Sequence, residues 1–359
     1  SFSGAEIVVT NASSRLVFVP AAAREAPAGL ISALNVFGKM GGFDGVVRHV
    51  AGDAPLDAMR HMLGPIAAVQ AYLLPDFLED WVPRLVPALQ TKLMELSSDE
   101  LKVADESCID DLKQCIQSLY LALPSHGNAS GGGRTGGALV SPANKVLEAF
   151  TLDFGLKCLK APILKLKLKG LADIRELVRL AAHKAEYISR LRDLSGQAAA
   201  YLANNREAMM ASAQLMYVAT SVDDLLAWLL QHDIVDLLYG SLAHMEVMRR
   251  GFEFVKFLAS QGVLTKAHID LIWEAGQGKH EAVQNIVLSA FTDLAPSLSL
   301  ELLGYVYHAK VATVPHASFS SHLIQLVRAL TMHALLTSSA LKTTADVKAA
   351  TAASAAKAA

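Results

Sequence analysis

The stretch LTKAHIDLIWEAGQGKHEAVQNIV, residues 264–287, decides the fold. Thr265 marks the start of a short helix near 265–275, and Gly276 marks its end. A second helix follows near 279–294, so the stretch reads as helix, glycine-bearing break, helix. Trp273 is expected to be buried between the two as a large apolar anchor. Its indole N–H is expected to find a carbonyl at the 276–278 turn. Lys279, His280 and Glu281 open the second helix. A glutamate at a helix N-terminus is favoured by the helix dipole, while a lysine there is not.

Outward from this stretch the chain keeps helical periodicity. Further helices are predicted near 142–159, 162–168, 171–184, 185–204, 206–219, 221–239, 242–261, 298–312 and 319–339. Starts are marked by Thr220 and Ser221, Ser297 before Glu301, and Ser320 with Ser321; Gly240 and Gly262 mark ends. Short helices in quick succession, with loops of a few residues, mean an all-α fold. The tail from Leu341, ending TAASAAKAA, is low-complexity Ala/Lys and is expected to fray.

Toward the N-terminus, two short apolar runs, residues 7–10 and 16–19, bracket a turn and suggest a small hairpin. Leu30, Ile31, Leu34, Val36 and Phe37 form an apolar stripe that stops at Gly38, Gly41 and Gly42. Phe77, Leu78, Trp81, Leu85, Leu89 and Leu93 follow helical spacing. Pro83 and Pro87 should kink or split that helix, because proline lacks the amide donor and clashes with the preceding turn. Ser97 with Glu100 reads as a capping box, and a helix then runs to about Leu123. Residues 125–142 (SHGNASGGGRTGGALVSP) are rich in glycine and lack apolar periodicity, which marks a flexible linker. Ser141 and Pro142 restart the helical pattern as N-cap and N1. The expected organisation is an N-terminal helical block over 1–124, the linker over 125–142, a helical array over 143–340 and the tail over 341–359.

Composition excludes several classes. With 52% hydrophobic and 18% charged residues and a mean hydropathy of +0.33, the 359-residue chain is folded. Its 32 basic and 34 acidic residues leave a net charge of −2, with no field to steer nucleic acid or an anionic membrane. The apolar runs 61–75 and 208–222 end at charged residues, short of the roughly 18–20 residues a spanning helix needs. No secretory signal is visible, and the absent initiator Met suggests a fragment or a processed chain. Cys108, Cys115 and Cys158 have no metal spacing and cannot all pair, which points to a reducing, cytoplasmic setting, with the nucleus a second possibility.

Chemistry-bearing motifs fail one by one. Residues 131–136 satisfy G-x-G-x-x-G, but no strand precedes them and no helix begins within them, so no dinucleotide site is expected. His280-Glu281 begins like a zinc-binding H-E-x-x-H, but Gln284 stands where the second histidine belongs. His316 and His322 have no metal-spaced partner. The three cysteines sit inside helical patterns without a nameable base, and Cys108 and Cys115, seven apart, share a face. No catalytic residue, metal or cofactor is therefore expected, and no small-molecule ligand. Lys157, Lys160, Lys165, Lys167 and Lys169 form a basic cluster, read as a solvated face with Leu156, Leu159, Leu164, Leu166 and Leu168 packed inward.

Trp273 with Lys279, His280 and Glu281 resembles a signature of the fat-facets type of ubiquitin-specific protease, in which a WxAxxxKHEA-like run joins two helices. The similarity continues through Trp228 to Ile234, through Phe254 and Leu258, and through Leu264 and Thr265. Lys169, Gly170, Leu171 and Ile174 resemble the family's turn at the head of a helix. Leu34 to Gly38 and Gly41 to Asp44 resemble its FGxxxGF helix end. The likeness is good over 156–307 and weaker over 30–50; the glycine-rich insertion and high alanine content depart from it. The resemblance implies an armadillo/HEAT-like α-solenoid from the non-catalytic region of a deubiquitinase whose thiol chemistry lies in a separate domain. It implies protein partners, ubiquitinated substrates among them. Trp273 is expected to clamp neighbouring helices, with partner contact through Lys279 and Glu281 as the alternative. A freestanding α-solenoid adaptor with no attached enzyme is the other functional reading; a small-molecule enzyme would need a clustered acid/base pair that the sequence lacks.

Overall fold

The computed structural model describes residues 5–10, 15–20, 28–70, 73, 75–104, 106–121, 123, 142–193, 218–240 and 243–358. The expected linker up to residue 141, its G-x-G-x-x-G run, and the helices expected over 194–217 lie outside the described residues. The chain is an all-α, armadillo/HEAT-like α-solenoid preceded by one hairpin. It divides into two compact units, Ser1–Asp224 and Leu225–Ala359.

The first unit begins with the expected hairpin. Strands β1 (Ala5–Thr10) and β2 (Arg15–Pro20) pair antiparallel, Ala5 opposite Pro20 and Thr10 opposite Arg15. Helices α1 (Ala28–Lys39) and α2 (Gly42–Ala51) meet at Gly41, whose φ of 76° is the left-handed conformation glycine adopts freely. The Phe37 and Phe43 rings meet edge-on across that break at 5.1 Å. Helices α3 (Leu56–Ala68), α4 (Pro75–Glu95), α5 (Ser98–Val103) and α6 (Glu106–Leu121) complete the N-terminal part. The Ser97–Glu100 capping box forms, but the helix it opens is only α5, which ends at Val103 with Ala104 as its C-cap at ψ 136°.

One face of α4, from Leu78 through Trp81, Leu85 and Leu89 to Leu93, is almost wholly buried. Each such side chain contributes about 1.5–3 kcal/mol by leaving water. Of the two expected outcomes, a split does not occur: α4 is a single helix of 21 residues with Pro83 and Pro87 inside it. Both prolines lie on its exposed face, as does Glu79, so the carbonyls they leave without amide partners are open to water. The opposite, apolar stripe continues without interruption.

Helices α7 (Pro142–Lys160) and α8 (Leu164–Asp193) follow. Pro142 is the first residue of α7, as its fixed φ suits. Phe150, Phe154, Cys158 and Leu166 enter the same core as Trp81, Leu89, Leu112 and Ile116, so both flanks of 125–141 share one interior. The expected helices 162–168 and 171–184 are one helix of 30 residues, and Gly170 lies inside it rather than at the head of a helix. The reason is tertiary: a Cβ on Gly170 would stand 2.2 Å from the Gly155 carbonyl oxygen and 2.9 Å from the Cys158 Cβ. Glycine lets the two backbones touch, and that packing outweighs its low helix propensity.

The lysine cluster is partly solvated and partly structural. Leu156, Leu159 and Leu166 are buried, with Leu164 and Leu168 half-buried. Lys157 donates to the Leu93 carbonyl at 3.3 Å and to that of Met94, groups the end of α4 leaves without amide partners. Burial lowers its pKa. Lys169 pairs with Asp110 of α6 at 2.5 Å, and Lys113 of α6 answers with Asp173 of α8 at 2.5 Å. Glu148 of α7 accepts the Ala219 and Thr220 amides at 2.8 and 2.6 Å, and also the Thr220 hydroxyl, tying the strap 218–220 to the unit.

The second unit holds α9 (Val222–Gln231) from Leu225 onward, then α10 (Ile234–Tyr239), α11 (Met245–Ser260), α12 (Lys266–Glu274), α13 (Glu281–Leu294), α14 (Leu300–Tyr305) and α15 (Ser321–Ala358). The helix expected over 221–239 breaks at Asp233, a non-glycine residue with φ 46°. The one expected over 298–312 becomes α14, a π turn (Val306–Lys310) and a 3-10 turn (Val311–Thr313). Its cap is Ser299 rather than Ser297, which lies in a preceding 3-10 turn. The last helix runs through the Ala/Lys segment to Ala358; alanine has the highest intrinsic helix propensity.

Candidate functional site

Thr265 opens α12 through a reciprocal cap: its Oγ1 accepts the His268 amide at 3.3 Å, and His268 Nδ1 accepts the Thr265 amide at 3.2 Å. Ile269 and Ile272, one turn apart, are fully buried, and Trp273 beside them is 7% exposed. The Trp273 ring stands 5.8 Å from that of Phe291 on α13, tilted by 54°. Trp273 therefore joins α12 to α13. Its carbonyl, not its indole, engages the turn, accepting the Gly276 amide at 3.1 Å. Among the described residues the indole N–H makes no bond to the 276–278 turn.

The turn itself needs two glycines for different reasons. Gly278 has φ 65°, and a Cβ on Gly276 would lie 3.3 Å from Val287 of α13. The turn delivers Lys279, His280 and Glu281 to solvent; all three are exposed. His280 is the N-cap of α13, its Nδ1 accepting the Ala282 backbone amide at 3.2 Å, and the Gln284 side-chain Nε2 donates to the Lys279 carbonyl at 3.0 Å. Among the described residues the Lys279 ammonium and the Glu281 carboxylate have no ionic partner. The structure thus separates the four signature residues: Trp273 is interior, and Lys279, His280 and Glu281 form an exposed, rigidly capped turn. That turn offers one positive and one negative charge, without an oriented nucleophile or base.

The remaining signature positions divide between interior and surface, with Thr265 and Phe37 exposed. Ile234, Phe254, Leu258 and Leu264 are buried. Trp228 is half-buried with its ring 4.8 Å from His232.

A polar latch that sequence reasoning missed holds α12 from the other side. Asp270 accepts the Tyr305 hydroxyl at 2.7 Å and pairs with Lys310 at 2.6 Å, and Lys266 pairs with Glu301 at 2.6 Å. Lys310 first, then Tyr305, holds the Asp270 carboxyl below its usual range, while the same bond raises the Tyr305 phenol. The partners are 35 to 40 residues apart, so no local motif announces them. Beside this latch lies a cleft of about 450 Å³ lined by Leu264, Thr265, Lys266, Ser299, Glu301 and Leu302.

All three cysteines are buried. Burial pushes the Cys115 and Cys158 thiols up to about 11, the reverse of what a nucleophilic thiolate needs. Among the described residues no group of three or more His, Cys, Asp or Glu could hold a metal. No described helix is long and apolar enough to cross a membrane.

Comparison with known proteins adds a family model and three relatives. The family model described as UBP24/USP9X/USP9Y ARM repeat matches residues 145–343, more than half of the chain. Human ubiquitin carboxyl-terminal hydrolase 34 is 26% identical over 158 residues, covering 44% of this chain and 4% of that protein; the mouse protein matches equally. Ubiquitin carboxyl-terminal hydrolase puf of Drosophila melanogaster is 31% identical over 77 residues, 21% of this chain and 2% of that protein. The chain thus spans only a few per cent of the length of these relatives.

Proposed function

The chain belongs to the UBP24/USP9X/USP9Y ARM-repeat family, and from that membership we propose that it is the protein-recruiting scaffold of a fat-facets-like ubiquitin carboxyl-terminal hydrolase. A separate thiol domain of the parent would cleave ubiquitin, and this segment would bring protein partners, ubiquitinated substrates among them, to that domain in the cytoplasm or nucleus. The observation that carries the reading is the family match over 145–343. The buried thiols of Cys115 and Cys158, held largely in the unreactive protonated form, agree with it. So does a surface whose unpaired charges sit on a preorganised turn, since a fixed backbone lowers the ordering cost of binding. Lys279 and Glu281 are its proposed contact residues.

The test is deletion of residues 143–343 from the parent hydrolase. Cleavage of a small ubiquitin reporter should persist, while processing of the parent's protein substrates falls. Equal loss of both activities would mean that the segment supports the catalytic fold rather than recruitment. In parallel, the isolated chain should form no adduct with a thiol-reactive ubiquitin probe; labelling of Cys108, Cys115 or Cys158 would overturn the non-catalytic assignment.

A further inference from the structure

Three consecutive helices of the second unit carry a histidine at the N-cap or in the first turn that accepts a backbone amide. His244 is the N-cap of α11, and its Nδ1 takes the Glu246 amide at 3.1 Å. His268, in the first turn of α12, takes the Thr265 amide at 3.2 Å, and His280, the N-cap of α13, takes that of Ala282 at 3.2 Å. A backbone amide can only donate. Each Nδ1 therefore carries a lone pair, and each ring holds its proton on Nε2. The next helix starts use serine instead: Ser299 caps α14 and Ser320 caps α15, as Ser221 caps α9. Among the described residues, histidine caps occur at the starts of α11, α12 and α13, the helices that hold Trp273 and present the exposed turn.

We propose that these three histidine caps form an acid-sensitive device that loosens residues 244–294, and with them the Lys279–Glu281 turn, when the imidazoles are protonated. Protonation replaces the lone pair with an N–H that opposes the backbone donor. It also places a cation at the positive end of a helix dipole.

The charges around the caps do not cancel the effect. Asp233, at the turn into α10, favours protonation of His268, but burial acts more strongly and lowers its pKa. Helix α10 packs against α11 and α12 and carries Asp236. On α11, Glu246 is held by Arg249 and Arg250, while Glu253 and Lys256 bring opposite charges. Helix α12 adds Lys266 paired with Glu301, Asp270 paired with Lys310, and Glu274. Helix α13 adds Glu281 and Asp293, and α15, packed against α13, adds Arg328 with His322 and His333. The sign for His268 follows from its lowered folded value: above about pH 6.5 both states are neutral and the cap is intact. As the pH falls below that, the unfolded chain takes up the proton first, and stability is lost.

Hydrogen exchange on the full chain at pH 7.5 and 5.5, expressed as protection factors, reads the amides of Glu246, Thr265 and Ala282. Each should lose about fivefold in protection on acidification, the size of one lost cap. The triple variant His244→Asn, His268→Gln, His280→Asn keeps a non-titrating acceptor at each position and should hold its protection at both pH values. Imidazole ¹⁵N shifts of the unmodified chain at pH 7.5 should place the proton on Nε2 at all three sites. Unchanged wild-type protection at pH 5.5, an equal loss in the triple variant, or a proton on Nδ1 would each overturn the proposal.

Discussion

Trp273 and Lys279 lie six residues apart in one signature, yet physics assigns them opposite tasks. Trp273 is packed against Phe291 beside two fully buried isoleucines, so Trp273→Ala removes apolar contact and leaves a cavity. The expected cost is about 3–5 kcal/mol. For a unit of this size the melting temperature should fall by roughly 10 °C. Lys279→Ala, at an exposed position with no ionic partner among the described residues, should change stability by less than about 0.5 kcal/mol. A melting curve for Trp273→Ala that overlays the parent, together with loss of a protein partner, would mark the indole as an exposed binding hot spot instead. That Trp273 is interior was legible in the sequence, because a large indole at the end of an apolar-periodic helix has few other places to go. The roles of His244, His268 and His280 were not, since a histidine cap and a solvated histidine share one spelling. The Asp270–Tyr305–Lys310 latch was equally invisible, its members being joined only by the fold.

Elements were legible where local chemistry fixes them and illegible where packing does. The caps at Ser97, Ser221, Thr265 and Ser320 stand where the sequence marks them, because a hydroxyl and an unpaired amide meet within one turn. Glycine gave the opposite outcome at two places. Gly41 ends a helix as expected, at φ 76°, while Gly170 sits inside a helix of 30 residues because α7 crosses there at backbone contact. Proline likewise depends on its surroundings: Pro83 and Pro87 lie on the wet face of α4, where the carbonyls left without amide partners are open to water and the helix is not split. These readings separate by mutation. Gly170→Ala drives a methyl group into the Gly155 carbonyl, and should destabilise by about 1–3 kcal/mol despite alanine's better propensity. Gly45→Ala, in α2 with nothing within 4 Å of the new Cβ, should stabilise by up to about 1 kcal/mol. Denaturant midpoints for the two variants that move in the same direction would refute the close-approach account of Gly170.

At the scale of the whole molecule, a solenoid distributes stability through neighbouring contacts rather than through one centre. In the first unit α4 packs against α2, α6 and α7, and α3 packs against α6. The second runs from α10 through α11 and α13 to α15, each helix packed on the next. On α15 the inner side chains Leu323, Leu326 and Leu330 are buried, while Ile324, Met332, Leu335 and Leu336 on the other side are more than half exposed. Nearest-neighbour stability predicts that core damage stays within its own unit. Phe291→Ala, at a fully buried position on α13, should cost about 3–5 kcal/mol. Hydrogen exchange should then accelerate across residues 245–294 while residues 75–121 keep their protection. The reciprocal change, Leu89→Ala in α4, should expose 75–121 and spare 245–294. Uniform loss of protection over both ranges in either variant would mean that the two units unfold as one cooperative block, and the one-dimensional account of this chain would fail.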